Sequence, residues 1–257
     1  MTNTLFPLIL GSGILVATAS GLVGSFLLLR KMTLLSDALS HIALPGIALG
    51  VLFHFEPLLG GVLFLFIGVF FIWAIEHKTK LAVETITGVL FVTALAAGSF
   101  LIPEENLLET FFGSVTRITV PELILQGVVA LLIIAVIIRF LKPLVLSSIA
   151  PDLARAERLP ASFLEFLLLT LIAFTIAIGI SFVGILLMSA LVIIPAASAR
   201  NIARNFRQFI GWSVVFSVAS LTIGLYADAI WHFGPGTATV FTGAFFFILT
   251  LFGKRDY

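Results

Sequence analysis

The sequence predicts an all-α, polytopic integral membrane protein with eight or nine transmembrane helices. Three observations predict it. Hydrophobic residues fill 60% of the 257 positions and charged residues only 11%, against about 45–50% and 25% in soluble domains. Twenty-six phenylalanines cannot be hidden in a soluble core of this size, and too little polar sequence remains to cover its surface. Apolar stretches also recur at lengths close to the roughly 20 residues that cross a bilayer as a helix. Lipid is therefore the solvent for most of a single transmembrane unit covering 1–257.

The elements follow in order. Met1-Thr2-Asn3-Thr4 has no basic n-region, so 5–29 reads as a retained first span rather than a cleaved signal. Apolar stretches then occupy 38–54, 58–75, 82–102 and 120–140. The region 163–199 admits two readings. It is either two short helices, 163–180 and 182–199, turning within Gly179–Gly184, or one span plus a half-helix. Stretches at 208–227 and 236–252 complete the set.

Orientation follows from charge. Arg30, Lys31, Lys78, Lys80, Arg139, Lys142, Arg155, Arg158, Arg200, Arg204, Arg207, Lys254 and Arg255 fall at alternate span ends, leaving Arg117 as the one exception among 14 basic residues. Glu56, Glu104, Glu105, Glu109, Glu122 and Asp228 mark the other ends. By the positive-inside rule the basic ends are cytoplasmic, and nine spans leave the N-terminus outside.

The longest polar interruption, 142–162, is then cytoplasmic. Within it Pro151 starts a short helix with Asp152 in the first turn, followed by Leu153, Ala154, Arg155 and Ala156, and Leu159-Pro160 stops it. A plain connector and a docking helix for a cytoplasmic partner both fit. No loop can hold a globular domain, and no Gly-x-x-x-x-Gly-Lys-Ser/Thr occurs, so this chain builds no P-loop. A net charge of +1 offers no basic surplus for nucleic acid, and the absence of cysteine excludes thiolate ligands and disulfides.

Polar groups inside hydrocarbon are expensive and usually face a cavity or a partner. Asp37 and His41 stand four apart on one helical face, with Ser36 and Ser40 beside them. Pro45, followed by Gly46, leaves the His41 carbonyl without its helical donor. Carboxylate and imidazole suit zinc, manganese or iron, but two side chains leave a coordination shell unfilled. A helix start capped by Ser36 or Asp37, with His41 bonded across the bundle, fits the same residues. Pro195, which kinks its span, and Ser198, in the small run 196–199, suit either a pore wall or a packing seam. Gly11, Gly13, Gly21, Gly24, Gly46 and Gly50 read as close-contact positions. Asp228 and His232, four apart in the outer turn 226–236, could catch a cation arriving from outside; equally, Trp231 reads as an interface anchor and Gly234-Pro235-Gly236 as a turn that ends one helix and starts the next. His54 and Glu56 share that ambiguity. Glu84 and Glu165 suit helix N-termini. No nucleophile–base–orienter set assembles, so a conduit is expected rather than an enzyme.

Together these segments resemble the membrane permease subunit of ABC-type importers for zinc, manganese or iron (ABC-3). The likeness is carried by Leu29-Arg30-Lys31-Met32, Ser36-Asp37-Ala38-Leu39-Ser40-His41, Leu44-Pro45-Gly46, Phe112-Gly113-Ser114, Pro151–Ala156, Val183–Leu187 and Ile193–Arg200. It implies a permease that pairs with a second copy of itself. Cytoplasmic ATPase subunits would sit beneath the pair, and an extracytoplasmic metal-binding protein or lipoprotein would deliver the metal. It implies no permanently bound cofactor, the divalent metal being the transported substrate. Asp37 and His41 match the family's polar pair, and the segment around 151–160 its coupling region. Two departures stand out. The family's Ala-x-x-x-Gly in that region is Ala154-Arg155-Ala156-Glu157-Arg158 here, and His232 replaces an acid near the outer turn. A proton-coupled secondary transporter, with Asp37 and His41 as a relay, and a non-transporting scaffold are the rival expectations.

Overall fold

The structure, a computed structural model, describes residues 5–79, 81–101, 119–231 and 234–253. All regular structure among them is helical: α1 (Phe6–Leu29), α2 (Thr33–Leu52), α3 (Pro57–Thr79), α4 (Val83–Leu101), α5 (Val120–Arg139), α6 (Leu141–Ile149), α7 (Pro151–Ala156), α8 (Ala161–Val183), α9 (Ile185–Ile202), α10 (Phe206–Trp231) and α11 (Pro235–Phe252). Seven of these, α1, α2, α3, α5, α8, α10 and α11, are long and apolar enough to cross a membrane. α4 and α9 carry shorter apolar stretches, Val83–Gly98 and Leu187–Ile202. The region 163–199 is thus two helices, and the 18 residues of α9 reach about 27 Å, close to the hydrocarbon thickness. The turn is Gly184 alone, at φ +84°, a conformation that side-chain-bearing residues rarely adopt.

α1, α2 and α8 are the most buried spans, while α3, α5, α10 and α11 leave broad apolar faces outward. α1 packs against α10, α5, α9 and α8, and α2 lies against α3, α4 and α9. Glycine permits two of these approaches: a β-carbon on Gly46 or Gly60 would overlap the other's carbonyl oxygen, and one on Gly24 would overlap that of Val192. Gly11 departs from expectation, since nothing lies within 4 Å of where its β-carbon would stand.

Many buried hydroxyls are spent within their own helices, while Thr87, Ser217 and Ser220 are buried without a hydrogen-bond partner. Ser12, Ser20, Ser25, Ser40, Thr175 and Ser198 each donate to a carbonyl three or four residues back. Bonds between spans are few. Ser213 Oγ donates to the Gly21 carbonyl at 2.7 Å, Asn201 Nδ2 to Thr250 Oγ1 at 3.1 Å, and Trp73 Nε1 to Ser162 Oγ at 3.3 Å.

Several boundaries differ from the sequence reading, and the reason is local. α2 begins at Thr33 rather than 38 because α1 closes immediately before it. Lys31 takes a left-handed φ of +59°, its N–H reaches the Leu28 carbonyl, and the Met32 N–H reaches that of Leu27. This is a Schellman closure, usually marked by glycine. The same closure recurs after α2 at His54 (φ +55°) and after α7 at Arg158 (φ +54°). Arg158, at the end of α7, is thus a left-handed cap. α10 runs on to Trp231, so Asp228 is helical rather than part of a turn. The 142–162 segment holds two short helices instead of one; in α6, Pro143 is accommodated in the first turn and Leu144 is fully buried. Glu122 is a capping residue, its Oε2 accepting the Thr119 N–H at 2.9 Å.

Candidate functional site

α2 carries the site. Pro45 sits inside it without ending it, and Ser36 and Ser40 are buried with their hydroxyls on the carbonyls of Thr33 (3.3 Å) and Ser36 (2.9 Å). Because the helix starts at Thr33, Asp37 lies a full turn inside it and caps nothing; nor does Ser36. Asp37 and His41 then stack one turn apart, Asp37 Oδ1 standing 4.0 Å from His41 Nε2.

The neighbouring helices complete the surroundings. Ser189 of α9 donates to Asp37 Oδ1 at 3.1 Å, and Phe91 of α4 meets the His41 ring edge-on with centroids 5.0 Å apart. The Asp37 side chain is 42% exposed and that of His41 only 9%. His41 Nδ1 is buried with no hydrogen-bond partner, an arrangement that costs free energy unless something else fills it. The pair therefore presents an open carboxylate beside a shielded imidazole whose Nδ1 has no partner. Among the described residues no group of three or more His, Asp or Glu could hold a metal. Two side chains and a serine hydroxyl suit brief passage of a cation better than a resident ion.

The other expected residues lie apart from this pair. Pro195 and Ser198 are buried in α9, with Ser198 Oγ bonded to the Ile194 carbonyl at 2.8 Å. Asp228 Oδ1 accepts the Gly234 N–H at 2.8 Å, tying the end of α10 to the turn before α11. His232, and the family-like Phe112-Gly113-Ser114, lie outside the described residues. His54 is exposed at the closure of α2, and Glu84 is exposed in the first turn of α4. In α7, Ala154 is buried while Pro151, Asp152, Leu153, Arg155 and Ala156 face outward, with Leu153 51% exposed. Asp152 and Arg155 form an ion pair at 3.6 Å on that open surface, where such pairs contribute little.

Two features had no sequence signal. Ser189 meets Asp37 across 152 positions of chain. Glu165, expected at a helix start, is the fifth residue of α8 and with Glu76 of α3 faces Arg30 at the end of α1.

These elements define a multi-pass helical membrane protein with a polar pair set between three of its helices. Residues 1–254 match the model of the ABC 3 transport family, and the chain belongs to that family. It is a transport subunit of the cytoplasmic membrane. Over 262 aligned residues it is 32% identical to the high-affinity zinc uptake system membrane protein ZnuB of Haemophilus influenzae, covering 100% of this chain and 99% of that one. It is 29% identical to the manganese transport system membrane protein MntC of Listeria monocytogenes, covering 95% and 89%. The solved structure of PsaBC from Streptococcus pneumoniae in complex with Fab matches with a TM-score of 0.85 at 28% identity, over 97% of this chain and 91% of that one.

Proposed function

We propose that this chain is the membrane subunit of an ATP-driven importer that carries a divalent transition metal, zinc, manganese or iron, inward, with Asp37 and His41 touching the ion in transit. The single observation that carries the site is the buried, unpartnered His41 Nδ1 beside the half-open Asp37 carboxylate. A carboxylate and an imidazole attract such ions, and an incomplete shell releases them again. Relatives named for zinc and for manganese transport support the cargo class. A second copy of the chain would complete the pathway, and a separate ATPase would supply the energy. An extracytoplasmic metal-binding protein would hold the metal tightly before delivery. The exposed face of α7, Pro151–Ala156 with Leu153 outward, is the docking surface for the ATPase, within the cytoplasmic coupling segment 142–162.

The test is metal uptake into vesicles holding the complex with its partners, for the natural chain, Asp37→Asn and His41→Ala. ATP-dependent uptake that drops in both variants while assembly persists is expected. Uptake driven by a proton gradient without the ATPase overturns the class, and unchanged uptake in both variants removes the site.

A further inference from the structure

Arg30 belongs to the family-like segment 29–32 and takes no part in the metal site. It caps the end of α1, outside the span. Its Nε donates to Ser148 Oγ and its Nη2 to Ser147 Oγ, both at 3.0 Å. Those hydroxyls in turn donate to the Leu144 carbonyl, Ser147 at 3.0 Å and Ser148 at 2.6 Å. The guanidinium thus grips the last turn of α6, immediately before α7. Burial pushes its pKa down, while the charges of Glu165 and Glu76 pull it back up. The three charges line a cavity of about 270 Å³ together with Ser147 and with Pro151, Ala154 and Arg155 of α7.

The placement matters because α7 has little hold on the bundle of its own. It packs on α6 and, lightly, on α8. Arg30, by contrast, is three residues from the start of α2 and seven from Asp37. Lys31, between α1 and α2, is already in the left-handed conformation, so the joint there is a sharp one. A pull on α6 reaches Arg30 through two directed hydrogen bonds, and from Arg30 it reaches the base of the helix that carries the metal pair.

We infer that Arg30, facing Glu76 and Glu165 across the cavity and gripping Ser147 and Ser148, is the positioning residue that passes movement of the α6–α7 segment to the α1–α2 joint and so to Asp37 and His41. The inference rests on α7 being where the ATPase docks. Guanidinium is suited to the task because its planar fork holds Nε–H and Nη2–H in a fixed geometry that meets both hydroxyls, whereas a lysine ammonium is a point charge on a flexible stem.

The experiment uses the complex with its ATPase in vesicles, measuring ATP hydrolysis and metal moved per ATP together. Arg30→Gln should leave assembly and hydrolysis near normal and lower metal moved per ATP by about tenfold, the size of effect that a residue along a coupling route can have. Arg30→Lys should fall between, and the Ser147→Ala/Ser148→Ala double variant should lower the same ratio. Hydrolysis, assembly and uptake falling in parallel in all three would mark Arg30 as plain scaffolding and overturn the inference. An unchanged ratio in all three would do the same. Leu153→Glu serves as the separate control: if it leaves ATPase binding intact, the docking assignment fails, independently of the outcome at Arg30.

Discussion

Ser189→Ala gives a sharp test of how the Asp37–His41 pair is held. Ser189 Oγ is the hydroxyl that fixes Asp37 Oδ1, at 3.1 Å, and the same oxygen is the one nearest His41 Nε2. A hydrogen bond to a charged group contributes about 1.5–3 kcal/mol when dry. The Asp37 side chain is 42% exposed, so water takes over part of the bond, and about 1 kcal/mol is the reasonable net loss. That is roughly fivefold in the population of the productive carboxylate orientation. Uptake measured against metal concentration should therefore show a half-saturating concentration raised about fivefold, with the maximal rate preserved. The double-mutant cycle with Asp37→Asn isolates the pair. If Ser189→Ala has the same effect in the Asp37→Asn background as alone, the serine acts elsewhere and the geometry assigned to the site is wrong.

Three further outcomes are expected. Arg158→Gly relieves a left-handed residue at the closure of α7 and should stabilise that turn by about 1 kcal/mol, seen as slower hydrogen exchange at the Arg158 and Leu159 amides; unchanged exchange would refute the cap assignment. Gly46→Ala places a β-carbon on the Gly60 carbonyl and should cost about 1–3 kcal/mol by overpacking, read as a lower unfolding temperature in detergent, while Gly11→Ala, with open space around it, should leave that temperature unchanged. Asp228→Ala removes the acceptor for the Gly234 N–H and should lower stability by about 1–3 kcal/mol without altering the metal dependence of uptake; a changed metal dependence would return Asp228 to the list of metal contacts.

The spans were legible because lipid imposes one rule on the whole length of each of them: an apolar stretch long enough to cross. Where the rule is local, the sequence said less. Lys31, His54 and Arg158 close helices in a conformation that glycine usually marks, so the start of α2 carried no visible signal, and α7, stopped in sequence by Leu159-Pro160, closes a little earlier, at Ala156. The error at α2 had a consequence, since a start at 38 would have left Asp37 free to act as a cap. Asp37 and His41 were readable as a pair because spacing on one helix is a property of sequence. Their neighbours Ser189 and Phe91 come from other spans, and serine and phenylalanine are too common here to stand out. Arg30 shows the same limit. Its charge was visible and fitted the orientation rule, but its partners on α3, α6 and α8 exist only once the bundle is assembled. The single-residue turn at Gly184 was foreseeable as a glycine-bounded region, although its sharpness was not.

The way the interior hydroxyls are spent has a mechanical consequence. Serines and threonines that bond back along their own helix travel with it, so adjacent rods can tilt or slip past one another while those polar contacts stay made. An exchange of openings then strains mostly dispersion contacts, which re-form continuously, and a handful of cross-ties such as Ser213 to Gly21. A bundle stitched by many transverse bonds would be stiffer and would resist the alternation. This one is lubricated by its own chemistry, and the few rivets it keeps show where motion is resisted.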